Sequence, residues 1–430
     1  PVNEPNAVYN AVEQEYLVTW QAATSTSGER EIFGQRVTAS GSRTGTNDFR
    51  ISDLGPDADV NYGANNSSDL AYAGAPLNSY YTVWAGQDNR NGQTSSENEV
   101  FGQAIEPTLT LSKTILSATS AVDAGDKVRY QIVVSHKQVV EGASTYDVSL
   151  RDAYNLRITD TLPTGLLTPT LISAVKSDGA TNTDVAAAFA VAGNTLSISG
   201  DVDLLRRTNG VNHQTLTLVL EGTAANSVTP SSLIAGNRAD LLWQNVNALS
   251  PINPGYTGSS TTGTITVPAA FTVTKSSNTS SATIGDLATY QLDVTVIEGT
   301  TQNLQFVDTL PAGTSYVAGS AAVSNANGMT VNGLSAISSG NKITITATSV
   351  VNPGNVNNAS TVDSDSFSLQ YQTRIDNVSG NQLGTVLTNS VNGSASGVTA
   401  DNNNTASVTV AEPQLVVNKV ANDNTVAFAQ

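Results

Sequence analysis

The chain has 430 residues and no cysteine, and it carries 19 Lys+Arg against 36 Asp+Glu, a formal net charge of −17. The lack of cysteine excludes disulfides and thiolate metal or redox centres, and the acidic balance argues against nucleic acid or an anionic membrane as partner. Two histidines, His136 and His213, are too few for a His-rich metal cluster or a conventional hydrolase set.

At 39% hydrophobic the chain can bury real cores, and its length allows two to four domains. It starts at Pro1 with no signal-like apolar run, which reads as a processed or excised part of a longer secreted chain. Its longest apolar stretches, such as Ala186–Ala192, fall far short of the ~20 residues that cross a bilayer. No membrane insertion is expected. The Ser, Thr, Asn and Gly surface chemistry suits an extracellular β-protein.

Short Val/Ile/Leu/Thr/Tyr runs alternate with period 2 between Gly, Asn, Asp and Ser clusters. Tyr16–Trp20, Thr108–Lys113, Tyr130–Val134, Thr215–Leu220 and Lys342–Thr346 are examples, and Val185–Val191 is the one short helix expected. In residues 1–106 a unit repeats. Tyr16-Leu-Val-Thr-Trp20 and Glu31-Ile-Phe-Gly-Gln35 recur as Tyr80-Tyr-Thr-Val-Trp84 and Glu99-Val-Phe-Gly-Gln103. Each unit predicts three or four strands and resembles a β-propeller blade. A propeller usually needs at least four blades, so two of them imply partners elsewhere. Trp20 and Trp84 offer either blade-core packing or a surface for a glycan ligand.

A second repeat starts after a Pro-marked linker. Glu106-Pro107…Lys113, Val267-Pro268…Lys275 and Glu412-Pro413…Lys419 open successive copies. Within the copies, Ala124-Gly-Asp126…Tyr130 matches Ile284-Gly-Asp286…Tyr290. Asn155…Asp160-Thr-Leu-Pro-Thr-Gly165 matches Asn303…Asp308-Thr-Leu-Pro-Ala-Gly313, and Leu233…Asn237 matches Thr385…Asn389. The first copy is longer, with an insert around His136–Ala153. These words resemble a repeat domain of large bacterial and archaeal cell-surface proteins, marked by "K-T", "G-D-x-x-x-Y" and "D-T-L-P-x-G". Only the first copy has the "K-T" pair. The resemblance implies an immunoglobulin-like sandwich in stalks, adhesins and envelope assemblies, and no enzymatic activity.

The expected fold is all-β: tandem immunoglobulin-like β-sandwiches preceded by a small blade-like β-sheet repeat domain. The segments are 1–106 (blades), 107–267 (sandwich one), 268–412 (sandwich two) and 413–430 (one strand opening a third copy).

Period 2 places residues i, i+2 and i+4 on one face of a strand. Leu109, Leu111 and Lys113 share a face, as do Phe271, Val273 and Lys275, and Leu415, Val417 and Lys419. Asp160 follows Leu156 and Ile158 in phase, and Asp308 follows Leu304 and Phe306. Asn237 is in phase with Leu233, Ala235 and Ala239, and Asn389 with Leu383, Leu387 and Val391. A lysine, an aspartate and an asparagine thus point into each core. Burial there favours the neutral amine and the protonated acid. Such an amine can attack the Asn carboxamide while the acid shuttles protons. This looks like the self-made Lys–Asn cross-links of Gram-positive pilin and adhesin domains. Lys113, Asp160 and Asn237 form one expected bond, and Lys275, Asp308 and Asn389 the other, with Asp160 and Asp308 the autocatalytic acids. A buried Lys–Asp pair with a structural Asn is the alternative.

No cofactor is expected. The acidic loops Asp57–Asp59, Asp201–Asp203, Asp363–Asp365 and Asp401–Asn404 offer oxygen ligands for calcium or are simply solvated turns. Sequons at Asn65, Asn66, Asn278, Asn358, Asn377, Asn392 and Asn403 suit a secreted surface. The lone strand of Leu415, Val417 and Lys419 has no core of its own, so strand addition to a neighbouring copy is expected. With the blades at the other end, this gives self-association through both termini, head to tail. The expectation is a homopolymeric cell-surface filament or envelope lattice. The alternative is the stalk and binding module of a large bacterial adhesin.

Overall fold

A computed structural model describes residues 3–24, 29–54, 60–65, 68–74, 79–88, 97–116, 121–141, 144–147, 149–198, 201–205, 213–245, 255–355, 363–412 and 418–420. Among the described residues the chain is all-β apart from one 3-10 turn, Ala186–Ala188, where the sequence predicts a short helix. The rest of that segment, Phe189–Ala192, pairs as a strand. Two compact units form. The first comprises 1–119, 127–223 and 234–265; the second comprises 120–126, 224–233 and 266–430.

In the first unit, Asn3–Asn10, Glu15–Ala23, Arg30–Thr38 and Arg43–Arg50 form an antiparallel meander. Ser79–Gln87 anchors a second sheet, with Gly63–Ala64 and Asp69–Ala73 along one edge and Glu99–Ile105 along the other. The two sheets cover one another. Leu17, Phe49, Tyr80, Ile105 and Leu150 make one core cluster, and Ile32, Leu54, Ala64 and Trp84 a second. The blade-like units therefore complete each other's cores within the chain. This corrects the expectation that they need partners elsewhere. The repeat phase also breaks. Trp84 is buried and stacked on Phe101, whereas Trp20 stands on the outer, half-exposed face with Tyr16 and Val18. The buried face of that strand is Glu15, Leu17, Thr19 and Gln21.

The sandwich of the first unit has two five-stranded sheets. One runs Asn182–Asp184, Leu166–Ser177, Thr215–Ala224, Lys127–His136, Leu109–Ile115; the other runs Phe189–Ala192, Thr195–Ile198, Tyr154–Thr161, Arg238–Gln244, Tyr256–Thr261. At one edge the Lys113 amide donates to Ser260 Oγ (3.0 Å), which ties the sheets together beside the lysine.

The second unit repeats the plan. One sheet runs Phe271–Ser277, Leu287–Ile297, Ser364–Ile375, Thr314–Tyr316; the other runs Ser281–Ala282, Asp401–Val410, Val386–Ser394, Gly299–Thr309, Lys342–Asn352, Thr330–Asn332. Strict alternation in Leu287–Ile297 and Ser364–Ile375 sends Tyr290, Leu292, Val294, Phe367, Leu369 and Tyr371 into a single core. At ~1.5–3 kcal/mol per fully buried large side chain, this core is the main support of the unit.

The recurring words have backbone reasons. Gly125 and Gly285 take left-handed φ values of +86° and +93°, a region glycine enters without a Cβ clash. The Asp that follows accepts a backbone N–H from three residues back: Asp126 Oδ2 from Asp123, and Asp286 Oδ2 from Thr283. Asn155 and Asn303 are also left-handed, at φ 50° and 54°, as short polar side chains tolerate.

Candidate functional site

In each sandwich, the first strand carries a lysine whose side chain is fully inaccessible, and its Nζ donates to an equally inaccessible aspartate on the opposite sheet: Lys113 to Asp160, and Lys275 to Asp308. The register is the same in both copies. Lys113 faces Ile132 and Lys275 faces Leu292. Asp160 faces Ala239 and Asp308 faces Val391. The asparagine lies two residues before that partner, so it shares the inward face with it. Asn237 and Asn389 are both fully buried.

Beneath each lysine lies the tyrosine of the "G-D-x-x-x-Y" word. Lys113 Nζ is 5.0 Å from the Tyr130 ring centre, and Lys275 Nζ is 5.0 Å from that of Tyr290. In the second copy Lys275 Nζ also lies 5.4 Å from the Tyr371 ring centre.

The electrostatics follow from burial. Desolvation lowers the Lys113 amine below the ordinary lysine range despite the opposing pull of Asp160. Desolvation likewise brings Lys275 down to about 8. Desolvation pushes the Asp160 and Asp308 carboxyls upward, with the lysines opposing. Both partners are thus driven toward their neutral forms. One oxygen of each acid, Oδ1, has no hydrogen-bond partner.

The asparagines differ. Asn237 lies close enough to favour the charged form of Asp160, yet neither its Oδ1 nor its Nδ2 closes a hydrogen bond. In the second copy, Tyr371 stands between the groups. Its hydroxyl donates to Asp308 Oδ2 (2.5 Å) and accepts from Lys275 Nζ (2.7 Å) and Asn389 Nδ2 (2.9 Å). Tyr371 faces Tyr290 across the sheet, and the corresponding cross-strand partner of Tyr130 is Leu220. Sequence reasoning missed Tyr371. Its signal was a tyrosine in phase with Phe367 and Leu369 on a core strand.

All six expected cross-link residues therefore meet in two clusters of three. Three phase assignments fail. Leu233 and Leu383 are 63% and 68% exposed. Leu233 sits in a separate two-residue strand, Leu233–Ile234, Asn237 immediately precedes Arg238–Gln244, and Gly384 (φ +82°) turns the chain before Val386–Ser394, so alternation does not run unbroken from either leucine to its asparagine. Ala235 is exposed for the same reason. Lys419 is exposed and belongs to no strand, while Leu415 and Val417 lie outside the described residues.

The other candidates resolve as follows. Asp203 accepts the Asn155 amide, and Asp401 accepts the Val273 amide at 2.7 Å; both are structural contacts. Asp57–Asp59 and the sequons Asn66 and Asn358 lie outside the described residues. Asn65, Asn278, Asn377, Asn392 and Asn403 are exposed. His136 is buried on Ser149 Oγ (2.7 Å) and the Leu204 carbonyl (3.1 Å) and edges against His213. A further buried charge cluster was not foreseen. Arg151, from the insert, meets Glu13 and Glu15, and Arg36 meets Glu13, Glu15 and Asp152. Among the described residues, no helix is long and apolar enough to cross a membrane.

No protein-family model matches the sequence, and no curated protein matches it. Solved structures with some similarity include the major pilin subunit BcpA of Bacillus cereus (11% identity over 87% of this chain and 85% of that one, TM-score 0.26). Another is the CupB6 tip adhesin of Pseudomonas aeruginosa (8%, 71% and 99%, TM-score 0.33). A third is the C-terminal fragment of the major pilin GBS80 of Streptococcus agalactiae (10%, 67% and 86%, TM-score 0.25). Similarity at this level specifies neither family nor function.

Proposed function

We propose that the chain is an extracellular structural protein, the subunit of a cell-surface filament or envelope lattice, whose two sandwiches are each locked by an intramolecular Lys–Asn isopeptide bond. The observation that carries this reading is the pair of buried Lys–Asp–Asn clusters at matching register. A single such cluster could be a structural accident. Two, on corresponding strands of sandwiches whose intervening sequence differs, support a common chemistry.

The reaction needs nothing beyond the cluster. A proton passes from the lysine ammonium to the aspartate. The freed Nζ attacks Cγ of the asparagine, and the protonated acid supports the oxygen that gains charge. The acid then relays a proton from the attacking nitrogen to Nδ2. The Cγ–Nδ2 bond breaks, ammonia leaves and a secondary amide remains. Exclusion of water keeps the amine unprotonated and protects the intermediate from hydrolysis. This is one turnover per site, a maturation step rather than enzymatic catalysis.

Head-to-tail assembly is read from the Glu412-Pro413…Lys419 word, which repeats the opening of a sandwich. Added to the sheet of the next copy, Leu415, Val417 and Lys419 would place alternate side chains in its pockets. Electron microscopy of native surface material tests this directly: regular fibres or a lattice are expected, and isolated rods would favour an adhesin stalk.

Two subsidiary outcomes follow. Tyr371→Phe should still yield the second bond, because the first copy presents Leu220 at the corresponding position. A chain retaining the free carboxamide there would show that the hydroxyl takes part in the chemistry. In Asn389→Ala the lysine cannot react and its titration becomes visible. The folded pKa of about 8 lies below the ordinary 10.5, so the unfolded chain binds more protons between these values. Stability must then rise with pH across that window. Asp308 is shifted up, so its contribution runs the other way, falling as pH climbs from 3.8 through its raised value. Chemical denaturation at stepped pH measures both limbs.

A further inference from the structure

Four acidic side chains of the second unit converge where the repeat pattern is broken. In the second copy, the "G-D" turn is closed by Thr283 donating to an exposed Asp286. At the equivalent turn of the first copy, Asp123 replaces the threonine, and both Asp123 and Asp126 are buried. Glu298, also buried, and the half-buried Asp363 come against them. Carboxylate oxygens of Asp123, Glu298 and Asp363 all lie within 4.8 Å of one another.

Some of this carboxylate capacity is satisfied locally. Asp123 Oδ2 accepts the Asp363 amide (2.8 Å), Asp126 Oδ2 accepts the Asp123 amide (3.1 Å), and Glu298 accepts from the Asn355 amide (3.1 Å) and side chain. Asp123 Oδ1 and Asp126 Oδ1 are different. Both residues are 1% exposed, and these oxygens have no hydrogen-bond partner. Among the described residues, no basic side chain pairs with Asp123, Asp126 or Glu298. The groups around each are other acids: Asp126 and Asp363 beside Asp123, Asp363 and Glu298 beside Asp126, and Asp123, Asp363 and Asp365 beside Glu298. Buried negative charge without a counter-charge is costly. A bound cation is the remedy that also uses the two orphaned oxygens.

We propose that Asp123, Asp126, Glu298 and Asp363 form a binding site for a hard divalent cation of the calcium class. Oxygen-only ligands fit calcium, which takes 6–8 of them at 2.3–2.6 Å. Two ligands across such an ion are separated by about 4.6–5.2 Å at most, which accommodates oxygens of Asp123, Glu298 and Asp363 that all lie within 4.8 Å of one another. The absence of His and Cys from the cluster disfavours zinc. The surrounding backbone is held tight. A Cβ on Gly125 would sit 2.1 Å from the Asn355 carbonyl oxygen, so the loop bearing Asn355 seats directly on the turn between Asp123 and Asp126. Burial and the neighbouring acids bring Asp123 up to about 7 when no cation is present. The cation would reverse that shift.

The test is calorimetric titration of the chelator-treated full-length chain with CaCl2, with MgCl2 in parallel, alongside thermal unfolding. Saturable binding of one calcium per chain is expected, together with an upward shift of the melting temperature. Asp123→Asn and Glu298→Gln should each weaken binding by about tenfold or more and reduce the shift. If the wild-type chain shows neither heat nor a shift with either ion, the site does not exist. If both variants bind calcium as the wild type does, it lies elsewhere. An Asn variant that is simply more stable than the wild type, with no response to calcium in either chain, would mean the cluster is a shared-proton network and would overturn the proposal. The readout is independent of cross-link formation, so its failure leaves that reading intact.

Discussion

Asn237→Ala and Asn389→Ala should each unfold at markedly lower denaturant than the wild-type chain. Each substitution removes the electrophile but leaves the Lys–Asp pair in place, so it isolates the covalent bond from the ion pair. The loops closed by the bonds span 237 − 113 = 124 and 389 − 275 = 114 residue steps. By the chain-entropy relation used for disulfides, closing a loop of this length stabilises by about 5 kcal/mol. A loss of that order per variant is the expected result, read as a lower unfolding midpoint with a steeper slope, because the denatured chain without the cross-link is less compact. The losses should add, because the clusters sit in separate compact units. An unchanged midpoint would mean that no bond was there to lose.

Asp160→Ala and Asp308→Ala should be more damaging still. In the first copy, among the described residues, Asp160 is the carboxylate to which Lys113 Nζ donates. Its removal therefore stops the reaction and leaves an ammonium inaccessible to water over a tyrosine face. Stranding one partner of a buried pair costs about 3–5 kcal/mol, on top of the missing cross-link. The expected product is a chain of unreacted mass that is less stable than the matching Asn variant. Full cross-linking in either Asp variant would remove the acid from the mechanism. In the second copy Tyr371 remains as a proton donor, so residual slow reaction of Asp308→Ala, with none in Asp160→Ala, would identify its hydroxyl as a partial substitute.

Much of this was legible in the chain because strand periodicity is simple. Lys113 and Lys275 continue the phase of Leu109 and Phe271, and their burial follows from alternation alone. Asp160 and Asp308 continue the phase of Leu156 and Leu304 in the same way. Phase fails where the chain is interrupted between strands: Leu233 belongs to the separate strand Leu233–Ile234 and Leu383 precedes Val386–Ser394, so both are exposed, whereas Asn237 and Asn389 are buried. It also fails where a partner sheet selects the face. The two N-terminal units share their words, yet Trp84 packs inward and Trp20 does not, because Leu17 and Tyr80 meet in the shared core. Tyr371 was hidden by the repeat comparison, since Leu220 occupies its place in the first copy. The acidic cluster was hidden by distance, with 363 − 123 = 240 positions between its outermost members. Only the folded chain could bring Asp123 to Asp363.

Each covalent bond would change the mass of the chain. Intact-mass measurement of the mature full-length chain, followed by fragmentation of its proteolytic peptides, should give a chain lighter than its sequence by one ammonia per sandwich. It should also recover one branched peptide joining Lys113 to Asn237 and another joining Lys275 to Asn389. A chain of full sequence mass that yields only linear peptides would contradict the account.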